Sequence, residues 1–285
     1  MIFFYSNQTG TTLYFKSYKK KKTKYFIFTN KKKFNSISNL KNHKKILNFE
    51  DIILFIKKFN PNFFYISATK DKIEDQIIKN SNRFNYKVIS IIDYPTNLKI
   101  TKRFVSKNKN LLPKKIYVPD IQAKNKMIKF GYPAEKLFII RNPYFKYIKK
   151  IKKKSNNKRK ILLVDQNFPH VNYSTYLKKL KKNLLDKDAN LKIDIREHPE
   201  NLKNKKVKKI FIKETFQENF RFLNNYSHVI GHSSTLMNIA ILKGLNVLSY
   251  NPFNKKDFNC PLFERGLINE AKKFKDIITF INLNE

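Results

Sequence analysis

Short apolar runs alternate with helix-length amphipathic segments along this chain, and the scheme starts twice. That alternation is the signature of parallel sheets whose strands are joined by crossover helices. The first series opens with the runs Ile2–Ser6 and Lys24–Thr29, the latter carrying Tyr25, Phe26, Ile27 and Phe28. The spacing of isoleucines and phenylalanines predicts a helix over Asp51–Phe59, ended by Pro61. A strand follows over Asn62–Ser67, then a helix over Lys70–Asn80 with Ile73, Ile77 and Ile78 on one face. Lys87–Ile92 is a continuous apolar strand with Asp93 at its carboxyl end. Ile116–Val118, a helix from Ala123 to Phe130 stopped by Gly131 and Pro133, and a strand Leu137–Ile140 close the series.

From Lys149 to Lys160 the chain is almost wholly lysine, serine and asparagine, a solvated linker. Beyond it the alternation restarts: strand Ile161–Val164, loop Asp165–His170, helix Tyr173–Leu185 and strand Leu191–Ile195. A short strand Ile210–Ile212 precedes a helix opened by Thr215-Phe216-Gln217-Glu218, a capping-box spacing, with Phe216, Phe220 and Leu223 on its core face. Strand His228–Ile230 turns at Gly231 into a helix over Ser234–Lys243, and Asn246–Tyr250 is the next strand. The expected architecture is therefore α/β, two Rossmann-like domains facing across a cleft: residues 1–148, a basic linker 149–160, and residues 161–285.

Composition narrows the setting. The 285 residues suffice for two domains of ordinary size, and 41% are hydrophobic, enough for two cores. No apolar run approaches the ~18 residues that span a bilayer. The single cysteine, Cys260, forms neither an internal disulfide nor a cysteine-based zinc site, which fits a reducing cytoplasm. The formal charge is +40, yet only seven of the 61 basic residues are arginine. A reader of nucleic acid leans on arginine's planar fork, so a nucleic-acid partner is not expected. The lysines are either a solvated surface set by composition or a surface that holds the protein against the anionic inner face of a membrane. Lys19–Lys22 and Lys31–Lys33 flank aromatic residues and could bind single-stranded nucleic acid; more simply, they are the solvated edges of the strand between them and block edge aggregation.

Ligands of open parallel sheets gather at the carboxyl ends of the strands. That rule selects Asn7, Thr9, Gly10, Asp93, Asp165, Gln166, Glu197, His198 and the run Gly231-His232-Ser233-Ser234-Thr235. A strand, one glycine and three hydroxyls at a helix start make an anion site, because the unpaired amides and the positive end of the helix dipole face the ligand. N-capping by Ser233 or Ser234 is the simpler use of the same residues. Pro199 stiffens the turn that carries His198, whose imidazole can donate to a phosphate. Asp93 can serve as a general base toward a hydroxyl or cap the turn at Pro95-Thr96-Asn97; Asp120 and Asp165 carry the same two readings. There is no GxGxxG, P-loop, GxSxG or HExxH, so neither a resident cofactor nor a metal is expected.

Two stretches resemble the GT-B superfamily of glycosyltransferases. Tyr117-Val118-Pro119-Asp120, Phe130-Gly131-Tyr132-Pro133, Lys136 and Arg141-Asn142-Pro143-Tyr144-Phe145 are similar to the end of a GT-B amino-terminal domain, with Arg141 where that family has glycine. His198-Pro199 and Ser233-Ser234-Thr235 resemble the HP and paired-serine motifs of bacterial sialyltransferases, polysialyltransferases and CDP-glycerol glycerophosphotransferases. The resemblance implies that His198, Ser233 and Ser234, with Thr235 beside them, hold the phosphate and ribose side of a nucleotide donor. Gly231-His232 stands in place of the glycerophosphotransferases' Asp-Tyr, and no acidic DEG-type motif supplies a base. It implies transfer of a sugar or sugar-like group from a nucleotide-activated donor to a glycan or lipid-linked acceptor, without a metal. A nucleotide-sugar 2-epimerase or hydrolase of the same fold, or a non-catalytic polyanion-binding protein, are the alternatives. If the two halves are separable, limited trypsin digestion cuts first within Lys149–Lys160; early cuts inside both halves that spare this run would place the boundary elsewhere.

Overall fold

The computed structural model describes residues 1–7, 11, 14–15, 24–30, 42–68, 71–92, 112–141, 145, 160–168, 171–198, 220–253 and 260–282. The chain divides into two compact units, Met1–Tyr147 and Ile148–Glu285. The basic run 149–160 lies outside the described residues apart from Lys160, which begins a strand.

In the first unit the strands are β1 (Ile2–Tyr5), β2 (Tyr25–Thr29), β3 (His43–Lys45), β4 (Phe63–Ser67), β5 (Lys87–Ile91), β6 (Lys115–Val118) and β7 (Leu137–Ile139). They form one sheet in the order β3-β2-β1-β4-β5-β6-β7, every pairing parallel. This is the doubly wound order, with its reversal between β1 and β4. Burial on both faces explains why β1 reads as an unbroken apolar run. Phe3 and Tyr5 join one core with Phe28, Phe64 and Ile66, while Ile2 and Phe4 join another with Ile27, Tyr65 and Ile89. Helix α1 (Phe49–Phe59) buries Phe49, Ile52 and Ile56. Its start is fixed by a reciprocal cap, Asp51 N donating to Asn48 Oδ1 at 3.1 Å and Asn48 N to Asp51 Oδ2 at 3.3 Å. Helix α2 (Lys72–Lys79) presents Ile73, Ile77 and Ile78 to the core, as its spacing requires. Helix α3 (Ile121–Lys129) begins two residues before the expected Ala123. Asp120 is its N-cap and accepts from Ala123 N at 2.7 Å, the capping use expected of it.

The second unit holds β8 (Lys160–Val164), β9 (Lys192–Arg196), β10 (His228–Gly231), β11 (Asn246–Tyr250) and β12 (Asn269–Ala271) in the order β12-β11-β10-β8-β9, again all parallel. The reversal falls between β8 and β10. Helix α4 (Tyr173–Lys187) buries Tyr173, Leu177, Leu180 and Leu184, one stripe over four turns. Helix α5 (Thr235–Leu242) is apolar nearly all round and has Leu236, Met237, Ile239 and Ala240 buried. Helix α6 (Phe274–Asn282) buries Ile277 and Ile281.

Four elements depart from the sequence reading. β3 and β12 are polar edge strands, His-Lys-Lys and Asn-Glu-Ala, recruited by backbone pairing rather than by side-chain pattern. α6 follows β12, and Asp276 caps its start by accepting from Lys272 N and Lys273 N. The helix expected to run through Phe220 does not: Phe220 has φ 58°, a left-handed conformation that breaks an α-helix, and Arg221–Asn225 is a 3₁₀ turn. Phe220 and Leu223 are nonetheless buried, as their apolar character requires. The short strand at Ile210–Ile212 and the capping box at Thr215–Glu218 lie outside the described residues.

Asp194 of β9 ties neighbouring elements together. Lys160 Nζ lies 2.7 Å from its Oδ2, and the Tyr226 hydroxyl donates to the same oxygen at 2.8 Å. Partial burial alone would raise the carboxyl's pKa, but these two hydrogen bonds hold it below the ordinary value. A depressed carboxylate contributes stability that is complete above its unfolded pKa of about 3.9 and disappears as pH falls through the lower folded value. Asp194→Asn should therefore lower the urea midpoint at neutral pH, and its deficit against wild type should shrink as the pH drops below about 4. A deficit independent of pH would show that the ion pair is not its source.

Candidate functional site

At the reversal of the second sheet, the carboxyl ends of β8 and β10 lie side by side, with Val164 paired to Gly231. β8 runs directly into Asp165 and Gln166, and β10 into His232, Ser233 and the start of α5. β9 pairs with the other edge of β8, Val164 against Arg196, and brings Glu197 and His198 to the same end of the sheet. The fold thus gathers Asp165, Gln166, Glu197, His198, Gly231, Ser233, Ser234 and Thr235 at one edge.

Asp165 organises the edge. Its buried carboxylate accepts from Gln166 N at 2.8 Å and from His198 N at 3.2 Å, while its own amide donates to Arg196 O at 2.9 Å. The loops after β8 and β9 are therefore pinned to each other, and Asp165 holds His198 in place through its backbone. Gln166 reaches across to the loop after β10. Its Oε1 accepts from Ser233 N at 3.0 Å and lies 3.1 Å from Ser233 Oγ, and its Nε2 donates to that hydroxyl at 2.9 Å. Ser234 is the N-cap of α5, its Oγ accepting from Leu236 N at 3.2 Å. Thr235 is the first residue of the helix. The three hydroxyls thus have distinct duties: Ser234 caps, Ser233 is held by Gln166, and Thr235 stands half-buried at the positive end of the helix dipole.

Gly231 is favoured by tight packing, not by φ. A Cβ there would meet Val164 O at 3.0 Å, Val164 Cβ at 3.1 Å and Met237 Sδ at 3.2 Å. Glycine lets β10, β8 and α5 close up, and this sets where the first turn of α5 points. At the other end of that helix Lys243 is buried, its ammonium donating to Asn224 Oδ1 at 3.1 Å. Burial, followed by the nearby Arg221, lowers its pKa.

His228, at the start of β10, and His232, just beyond its end, are both buried. His228 Nδ1 lies 2.9 Å from Ser227 Oγ. His232, four residues on, packs edge-on against Phe168 with ring centres 5.0 Å apart. Four residues bring two imidazoles together on a helix, but along a strand they span about 13 Å. Among the described residues no group of three or more His, Cys, Asp or Glu could hold a metal ion.

Sequence reading missed an aromatic cluster beside this turn. Phe168, Tyr173, His232 and Phe253 pack mostly edge to face, with Phe168 to Tyr173 at 5.6 Å and to Phe253 at 5.9 Å, and the Tyr173 hydroxyl donates to Tyr250 O at 2.8 Å. Its signal was Phe168 and Phe253 each standing three to four residues beyond a strand end. Of the remaining expected residues, Asn7 belongs to the first unit, where it donates to Asp71. Thr9, Gly10 and Asp93 lie outside the described residues.

The sequence matches no family model and no curated protein at a significant level. Solved structures match over nearly the whole chain. A Methanocaldococcus jannaschii UDP-GlcNAc 2-epimerase in complex with UDP-GlcNAc and UDP is similar at a TM-score of 0.61 and 13% identity, over 99% of this chain and 91% of that one. The wall teichoic acid polymerase TagF, as an H444N variant, is similar at 0.57 and 12%, over 100% and 80%. The lipopolysaccharide outer core galactosyltransferase WaaB is similar at 0.52 and 9%, over 99% and 90%. At these identities the likeness establishes the fold alone: an α/β chain of two Rossmann-like units.

Gly231→Ala should destabilise the second unit by about 1–3 kcal/mol, because the added methyl crowds the Val164 backbone carbonyl between two paired strands. Chemical denaturation checks this; a neutral substitution would mean that β10 and β8 are not so closely apposed.

Proposed function

We propose that the chain is a glycosyltransferase-like enzyme that uses a nucleotide-activated sugar, with the donor's phosphates held at the β10–α5 turn of the second unit. The observation that carries this reading is the meeting of Gln166, Ser233, Ser234 and Thr235 at the β8/β10 reversal, beside His198. What supports the ligand class is the fold shared with a UDP-GlcNAc 2-epimerase, a galactosyltransferase and a teichoic acid polymerase. In this reading Thr235, Ser233 and the first-turn amides of α5 donate to the diphosphate, and the dipole of α5 offsets its charge. His198 adds a donor from the side, and the half-buried rings of Phe168 and Phe253 offer apolar surface to the base. Gln166 holds Ser233 in readiness and releases it to phosphate.

The proposed transfer is a single displacement without a metal. Asp93 takes the proton of an acceptor hydroxyl, whose oxygen attacks the anomeric carbon. The bond from that carbon to the diphosphate breaks, and the nucleotide leaves with its electron pair. Charge developing on the departing phosphate is where the α5 terminus stabilises most. The acceptor would be a glycan or lipid-linked glycan met by the first unit, and the lysine-rich surface would hold the protein near an anionic membrane. Among the described residues no helix is long and apolar enough to cross one. The Methanocaldococcus likeness favours a second reading, epimerisation of a nucleotide sugar with no acceptor.

Thermal-shift titrations with UDP, CDP, CMP and their sugars test the donor. The uridine compounds follow from the structural neighbours and the cytidine compounds from the HP and paired-serine resemblance. At least one nucleotide should stabilise the protein by mass action. Ser234→Asp keeps a good N-cap but sets a carboxylate against the phosphates, so stability should hold while nucleotide affinity falls about ten-fold or more. Unchanged affinity in that folded variant would remove the turn as the phosphate site. Release of nucleotide that depends on an acceptor marks a transferase; an epimeric sugar nucleotide formed alone marks an epimerase. Steep salt-dependent binding of nucleic acid with no nucleotide response would leave only a polyanion-binding protein.

A further inference from the structure

The first sheet has a reversal of its own, between β1 and β4, and a polar network sits at the carboxyl ends of the strands there. Asp71, the N-cap of α2, is its centre. Its Oδ1 accepts from Ile73 N at 2.8 Å. Its Oδ2 accepts from the Tyr5 hydroxyl at 2.6 Å, from Asn7 Nδ2 at 2.6 Å and from Asn30 Nδ2 at 3.1 Å. Tyr5 is fully buried, and burial together with the Asp71 carboxylate pushes its hydroxyl's pKa far up, so it stays a donor.

A carboxylate can only accept, so it turns the NH₂ end of both asparagine amides toward itself and fixes the carbonyl ends away from it. Those two carbonyl oxygens, Asn7 Oδ1 and Asn30 Oδ1, are buried and accept no hydrogen bond. Thr11, four residues beyond Asn7 and fully buried, likewise has an Oγ1 without a partner. Buried polar atoms are almost always paired, and two orphaned carbonyls on amides held by one carboxylate mark a place built for something else. The network offers acceptors, so its ligand must bring donors. A phosphate brings none and would be repelled. A divalent cation would want charge, yet Asp71 Oδ2 already accepts three donors and the two carbonyls are neutral. Hydroxyl groups fit.

We propose that Asn7 and Asn30, oriented by Asp71, form a saccharide-hydroxyl site on the first unit, separate from the phosphate site at the β10–α5 turn. The choice of a saccharide among hydroxylated ligands rests on the nucleotide-sugar reading above. Asp71 is a positioning residue here, acting through the two amides. The hydroxyls can belong to the sugar of the donor or to an acceptor glycan.

Calorimetric titration of the full chain distinguishes the sources, using UDP, UDP-GlcNAc, UDP-glucose and UDP-galactose in one arm and the free sugars in the other. Asn7→Ala/Asn30→Ala should weaken a sugar-bearing ligand by about ten-fold, the loss of one or two hydrogen bonds, while leaving the affinity for UDP unchanged. Loss confined to the UDP-sugars assigns the donor's sugar; loss of a free sugar assigns an acceptor. Sugars that bind the variant as they bind wild type would overturn the proposal, as would a wild-type chain that binds no free sugar and prefers no UDP-sugar over UDP. Should the variant fail to fold, hydrogen exchange on the wild-type chain decides. Saturating sugar ligand should slow the amides of Tyr5–Asn7 and Thr29–Asn30, and unchanged exchange there would mean that the orphaned oxygens hold only water. A wild-type chain that binds free sugar but no nucleotide would overturn the phosphate site and leave this one standing.

Discussion

Every strand pairing in both sheets is parallel, and the rest of the molecule depends on that constraint. A parallel strand cannot be reached by a tight turn, so the chain must cross back over the sheet before pairing again. All carboxyl ends then emerge on one edge, and helices start where strands stop. Both faces of each sheet are covered, which is why Phe3 and Phe4, adjacent in sequence, lie in different cores. The positive ends of helices, the loop side chains and the point of reversal converge at one edge in each unit. Chemistry is concentrated there by topology before any particular side chain is considered.

The two edges are furnished with opposite hydrogen-bonding character. In the second unit, Gly231 draws β10 against β8 and α5, and Asp165 and Gln166 cross-link the loops after β8, β9 and β10. There the start of α5 carries the hydroxyls of Ser233, Ser234 and Thr235, with Ser233 held by Gln166 and Ser234 capping the helix. In the first unit a single carboxylate, Asp71, collects the donors of Tyr5, Asn7 and Asn30 and leaves amide carbonyls to be satisfied.

The strands were legible because buried parallel strands are continuous apolar runs: Ile2–Tyr5, Phe63–Ser67, Lys87–Ile91 and His228–Gly231 differ from the sequence reading by a residue or so at their ends. Helices with a clear stripe, such as Lys72–Lys79 and Tyr173–Lys187, were equally plain. β3 and β12 were not, since polar edge strands take their structure from a neighbour's backbone and carry no pattern of their own. Phe220 misled because its apolar spacing fits a helix while its left-handed backbone ends one. At the candidate site, the strand-end rule pointed to Asp165, Gln166 and Ser233, which the structure brings together, but not to their hydrogen-bond pattern. That Ser234 caps while Ser233 pairs with Gln166 depends on a contact between residues 67 apart. Asp71 carried no signal in the sequence for the same reason: its partners Tyr5 and Asn7 are 66 and 64 residues away.

The central claim is that a nucleotide's phosphates rest on the start of α5. A crystal structure of the full chain with UDP tests it most directly. The account predicts the diphosphate within hydrogen-bonding distance of the Ser233 and Thr235 hydroxyls and the first-turn amides of α5, with Gln166 displaced from Ser233 N. A nucleotide bound away from that turn, or a Gln166–Ser233 pair intact beneath it, would contradict the account.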